Sequence, residues 1–195
     1  MDSNLSWIPT INDLTFVAYS GARIVGNWYY VTGQPSQEAF TAFGDAGIKS
    51  VVCVRSPSET GPATPPVPPV PPFDANEETE LAQLGVSYVN IPIERSMSQS
   101  DFDVAATNAA MALYSNGQSG PALVHCSTGD RASSVFAVLL MLVLKWKPAQ
   151  VAAYAQNCLL LANDQIIALV LGYTTPSALA SEAAALEGAL PNLAS

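Results

Sequence analysis

The run His125-Cys126-Ser127-Thr128-Gly129-Asp130-Arg131-Ala132-Ser133 brings a thiol, a glycine and a guanidinium close together in the chain. Ala122 to His125 (ALVH) before it reads as a short strand, and Ala132 to Trp146 after it as a strongly apolar helix. A loop joining the carboxyl end of a strand to the start of a helix turns its backbone N–H groups inward, where they and the helix dipole favour an anion. Gly129 lets the backbone bend without a Cβ clash, and Arg131 offers a planar fork of donors that matches two oxygens of a phosphate-like group. The field that would hold an anion also favours the ionised, nucleophilic form of a thiol, so Cys126 is the candidate nucleophile. Ser127, Thr128, Gly129 and Arg131 are expected to hold the substrate. His125 and Ser133 are expected to support the loop, His125 by hydrogen bonding with its side chain turned away from that of Val124.

These residues need strands and helices to position them, and the rest of the text supplies both. Asn27 to Thr32 (NWYYVT) reads as a strand ending at the turn Gly33-Gln34-Pro35; Ser36 then caps a helix carrying Ala39, Phe40 and Phe43, which Gly47 closes. Ile48 to Val54 (IKSVVCV) is a buried strand in which Cys53 reads as a small core hydrophobe. Gly61 to Phe73 (GPATPPVPPVPPF) lacks the N–H donors for helix or inner strand, and is expected to be a stiff surface loop at 61–73; a docking ligand for an aromatic-lined groove is the alternative. Asn76 to Leu84 forms a short acidic helix stopped by Gly85, and Val86 to Ile91 a strand stopped by Pro92. Ser100 and Asp103 have capping spacing for a helix to about Tyr114, and Gly117 and Gly120 bracket a turn. After Pro148 come three helical patterns, at roughly 148–162, 164–172 and 177–189. The expectation is α/β: a central, mostly parallel sheet covered by helices on both faces, with a helical C-terminal part, in one domain over 1–195.

Composition narrows the function further. Of 195 residues 49% are hydrophobic and 12% charged, with a mean hydropathy of +0.25, which is the profile of a folding chain. Sixteen Asp+Glu against 7 Lys+Arg give a net charge of -9, so a nucleic-acid partner is not expected. So few charges beside so much apolar content suggest a surface shared with a second copy or a protein partner. The start lacks a secretory or transit pattern, and the longest apolar run, Val135 to Leu144, is too short to span a membrane. Three widely spaced cysteines fit a reducing intracellular compartment such as the cytoplasm. With one histidine and no Cys-x-x-C, neither a metal site nor any other cofactor is expected.

The loop resembles the His-Cys-(x5)-Arg signature of tyrosine and dual-specificity phosphatases, with four residues rather than five between Cys126 and Arg131. The pattern of strand, Gly33-Gln34-Pro35, helix, Gly47-Ile48, strand and Arg55, then Gly85-Val86 and Ile91-Pro92, is more closely similar to the phosphatase-like domains of beta-lactamase-hydrolase-like proteins. Their loop is often Cys-x-x-Gly-x-Arg-Ser; this chain matches it through Arg131, with Ala132 in place of that Ser. The resemblance covers about Val31 to Tyr173. It implies a dual-specificity-phosphatase-like fold and a thiophosphate intermediate on Cys126, with Arg131 and loop amides on the phosphoryl oxygens. It also implies an Asp acid after the strand that ends in Pro, where this chain reads Pro92-Ile93-Glu94-Arg95. Glu94 and Asp101 are the substitutes nearby, with Asp103 more simply a helix cap. Asp130 precedes Arg131 as an Asp does in the myotubularin-like lipid phosphatases; it is either the acid or a partner that orients Arg131. The short loop is also similar to that of rhodanese-type sulfurtransferases, which implies a persulfide on Cys126. A non-catalytic interaction module is the third reading.

Overall fold

The computed structural model describes residues 10–11, 22–25, 29–35, 39, 47–59 and 73–187. The expected helix from Ser36 and the proline-rich loop lie almost wholly outside the described residues, apart from Ala39, which is helical, and Gly47 at the end of the first, and Phe73 at the end of the second. Among the described residues six strands form one sheet: β1 (Thr10–Ile11), β2 (Ala22–Val25), β3 (Tyr29–Thr32), β4 (Ser50–Cys53), β5 (Ser87–Asn90) and β6 (Ala122–His125). Their order is β1-β2-β3-β6-β4-β5. β3, β6, β4 and β5 run parallel, while β1 and β2 add an antiparallel edge beside β3. That edge was not expected from the sequence.

Among the described residues the full helices are α1 (Glu77–Gln83), α2 (Gln99–Gly117), α3 (Asp130–Leu144), α4 (Pro148–Cys158), α5 (Asp164–Leu171) and α6 (Ala180–Ala185), the last preceded by a 3-10 turn at Ser177–Leu179. Strand alternation sorts the core into two. Val52 and Val124 face the larger core, with Phe102, Leu113, Val135, Phe136, Val151 and Ile166 from α2 to α5. Val51 and Leu123 face the smaller one, with Ala39, Ile48, Leu81 and Val86. Both faces of the sheet are therefore covered, as expected. Every residue of α3 except the last is buried, so this apolar helix is the centre of the larger core and anchors the loop that precedes it. Burying each large side chain there contributes about 1.5–3 kcal/mol.

Several boundaries differ from the sequence reading. The cap of α2 is Ser98, whose hydroxyl accepts from the amide of Asp101 at 3.2 Å, so the Ser-x-x-Asp pattern operates two residues earlier than expected and the helix continues to Gly117. α3 starts at Asp130 rather than Ala132, placing Asp130 and Arg131 in its first turn. The acidic helix α1 also departs from expectation, because Glu77 in its first turn is fully buried.

Candidate active site

The loop and the end of β6 are fastened to the ends of both neighbouring strands, β3 and β4. The Cys126 amide donates to Thr32 O at 3.3 Å, the Gln34 amide to Ser127 O at 3.1 Å and the Val54 amide to His125 O at 2.9 Å. Between these anchors the chain curls until the Gly129 amide donates to Cys126 Sγ at 3.0 Å. Gly129 takes φ +98°, a left-handed conformation that L side chains rarely adopt, and it caps α3. A Cβ there would lie 2.4 Å from Leu160 Cδ1, so the position is closed to a side chain on two grounds. The buried Cys126 sulfur thus sits at the N-terminal end of a buried helix, with an amide already aimed at it.

Arg131 lies beside that sulfur and is itself buried. Its Nη1 donates to Glu59 Oε1 and, at 2.9 Å, to Ile93 O; its Nη2 donates to Glu59 Oε2 at 3.1 Å and to Ser127 Oγ at 2.9 Å. Nε has no hydrogen-bond partner among the described residues. Four of the five guanidinium donors are therefore committed to fixing its plane, and the fifth remains for a ligand. Burial would penalise the charge of Arg131, but Glu59 and the Cys126 sulfur outweigh it and hold the group more firmly protonated than usual.

Glu59 was not read as a site residue. It closes a turn after β4 in which its amide donates to Ser56 O at 3.0 Å and its carboxylate accepts the Ser56 amide at 3.0 Å. Burial works to raise its pKa, yet the hydrogen bond and charge of Arg131, with the Ser56 amide and Arg55, lower it to about 2. Arg55 Nε donates to Glu59 Oε2 at 3.0 Å and Nη1 to Gln34 Oε1 at 2.7 Å, so Gln34, Arg55, Glu59 and Arg131 make one connected network. The signal for Glu59 was Ser-x-x-Glu spacing directly after a strand whose carboxyl end faces the loop.

The carboxylates named from sequence differ in what they hold. Asp130 Oδ1 accepts the amides of Ala162 and Asn163, both at 2.8 Å, and Oδ2 accepts Thr128 Oγ1 at 2.8 Å with Arg95 Nη2 at 3.9 Å. Its ion partner is thus Arg95 and not Arg131. Ser133 Oγ accepts the Leu160 amide at 2.9 Å, so Asp130 and Ser133 together tie the 160–163 segment to the loop. Asp101 binds Ser98 in its own helix cap. Asp103 is buried, accepting from Gln99 Nε2 at 2.8 Å and from the Thr174 hydroxyl at 2.9 Å, and so joins α2 to the C-terminal helices. Glu94 is exposed and makes no side-chain hydrogen bond or ion pair among the described residues; its neighbour Ile93 touches Arg131 through its carbonyl.

His125 points to the other face of the sheet. There it is fully buried, with Nε2 at 2.6 Å from Glu77 Oε1 and with Cys53 beside it. Burial acts to lower its pKa, but the Glu77 and Cys53 charges raise it well above the usual imidazole value. The partners of its side chain lie in α1 and β4, away from the loop it was expected to orient.

No protein-family profile matches the chain, and no curated protein matches it. Solved structures do. TpbA of P. aeruginosa is similar with a TM-score of 0.61 at 14% identity, covering 95% of this chain and 99% of that one. A cysteine-to-serine form of P. aeruginosa TpbA in complex with pTyr is similar at 0.59 and 12% identity, covering 95% and 98%. The core catalytic domain of the PP-IP phosphatase SIW14 from S. cerevisiae is similar at 0.55 and 16% identity, covering 89% and 95%. These likenesses establish the fold as dual-specificity-phosphatase-like.

Proposed function

We propose that this chain is a cysteine-dependent phosphatase acting on a phosphoester through a thiophosphate intermediate at Cys126. The observation that carries the reading is the Gly129 amide 3.0 Å from Cys126 Sγ, with the Arg131 guanidinium fixed beside the same sulfur at the start of α3. The fold shared with TpbA, whose cysteine-to-serine form is known in complex with pTyr, supports the same class of substrate.

In this reading the phosphoryl oxygens meet Arg131 Nε–H and the loop amides from Ser127 to Arg131, where a preorganised field stabilises charge as it develops. The Cys126 thiolate forms an S–P bond while the ester P–O bond breaks and its electron pair leaves with the oxygen. Glu94 supplies the proton to that oxygen, since its carboxylate is exposed, uncommitted and next to the Ile93 carbonyl that holds Arg131. A water then attacks phosphorus and gives its proton to Glu94, while the S–P bond breaks to release inorganic phosphate. Asp130 is a positioning residue, because its Oδ1 accepts the Ala162 and Asn163 amides and its Oδ2 accepts Thr128 Oγ1. Asp101 has no step to perform.

The test is phosphate release from a generic aryl phosphate by the full chain and by Cys126→Ser, run beside an assay with thiosulfate and a thiol acceptor. Release that disappears in Cys126→Ser is the expected result. Sulfur transfer that depends on Cys126, with no phosphate released, overturns it.

A further inference from the structure

On the face of the sheet opposite Cys126, three residues of metal-binding type converge. Cys53 ends β4, His125 ends β6 directly opposite it in register, and Glu77 enters from the first turn of α1. All three are fully buried, and one ligand atom from each lies within 4.8 Å of the others. We propose that Cys53, Glu77 and His125 bind a single zinc ion.

Three observations carry this, independently of the phosphatase reading. First, the donor set fits: thiolate, imidazole and carboxylate are the ordinary zinc ligands, with bond lengths of about 2.0–2.3 Å that place ligand atoms about 3.5 Å apart, so the cluster needs to contract by only about 1 Å. Second, the polar atoms there are only partly satisfied: Glu77 Oε2 accepts from Gln34 Nε2 at 3.5 Å, and its Oε1 is ion-paired with His125. His125 Nδ1 has no hydrogen-bond partner among the described residues, while Nε2 lies 2.6 Å from Glu77 Oε1. The Tyr88 hydroxyl, which lies against the Cys53 sulfur, is buried and likewise lacks an oriented bond. Buried polar groups left in this state are costly, and a cation would engage them together. Third, charge balances: with the protons of the imidazole and thiol released to solvent on binding, a thiolate, a carboxylate and a neutral imidazole around a doubly charged ion sum to zero, as a fully buried site requires. Tyr88 Oη and a water are the donors available for the fourth position. Counting local spacing hid the site, because its ligands come from three separate elements.

The chain has three cysteines, so the full-length variant Cys126→Ser, Cys158→Ser leaves Cys53 as its one thiol. Cobalt(II) added to that variant is expected to give thiolate-to-metal charge transfer in the near ultraviolet, with the visible bands of tetrahedral cobalt, displaced by about one equivalent of zinc. Zinc at about a hundredfold excess over its dissociation constant is expected to raise Tm by about 5 °C or more, and Glu77→Gln to weaken zinc binding by at least about tenfold. Absence of the cobalt bands in the folded variant, or bands that persist after Cys53→Ser is added, overturns the proposal. So does a Tm that zinc leaves unchanged. The cobalt spectrum of the parent variant decides the matter even where Cys53→Ser does not fold.

Discussion

Arg131 and Glu59 are joined by two parallel prongs, Nη1 to Oε1 and Nη2 to Oε2, although 72 positions separate them in the chain. The carboxylate engages both terminal nitrogens of the guanidinium, and the Nε–H has no partner among the described residues.

That pair makes stability depend on acidity. Glu59 is held at about 2 in the folded state against an ordinary 4.5, so its contribution is fully present above about pH 4.5 and is lost as pH falls through about 2. Glu59→Gln is expected to be about 1–2 kcal/mol less stable at pH 7, after allowance for partial exposure, and the gap should close as pH falls from 4.5 toward 2. Urea denaturation of both proteins across that range measures it. A gap independent of pH would exclude the charge as its cause.

Arg131→Lys tests the fork itself. Lysine offers one point charge and cannot serve both Glu59 oxygens, Ile93 O and Ser127 Oγ together. Aryl phosphatase kcat/KM is expected to fall by about a hundredfold or more. Steady-state kinetics on protein checked for folding by circular dichroism would show it, and a loss below about threefold would remove Arg131 from the chemistry.

The carboxylates part company under amide substitution. Asp130→Asn keeps an oxygen for the Ala162 and Asn163 amides, whereas Asp130→Ala leaves both without an acceptor and is expected to cost about 2–3 kcal/mol. In pH profiles of kcat, Asp130→Asn should retain the limb that reports the general acid, while Glu94→Gln should lose it. The opposite pattern would exchange their roles.

Gly129→Ala should be damaging without touching any reacting group. The left-handed φ of +98° and the approach to Leu160 together predict a loss of at least about 2 kcal/mol, read by thermal denaturation, with a drop in phosphatase rate as the Gly129 amide leaves Cys126. Wild-type stability and rate in that variant would mean the loop does not need this bend.

Much of this was legible along the chain because it is local. The β6 strand fell at Ala122–His125, where a short apolar run lies between a glycine turn and the loop, and Gly129 could be recognised as the bend. What was missed is non-local. Glu59 gains its meaning from Arg131, and Glu77, which reads as one more acid on a solvated helix, gains its meaning from His125 on a strand far along the sequence. The helix start at Asp130 escaped because polarity at 130 and 131 looks like loop, whereas ion pairs and amide donors there make those polar groups compatible with burial. The β1 and β2 edge strands carried no pattern that separated them from connecting chain.

The opposed directions of His125 and Cys126 set a strict rule on chain length. Side chains alternate along β6, so the deletion or insertion of one residue between Ala122 and Cys126 would turn the thiol beneath α1 and swing the imidazole into the loop that opens α3. Point substitutions within Ala122–Val124 would spare that arrangement while they kept their volume. Spacing, more than identity, is therefore what heredity has to preserve in this strand, and insertions or deletions of a single codon there should be absent from any functional descendant of the gene.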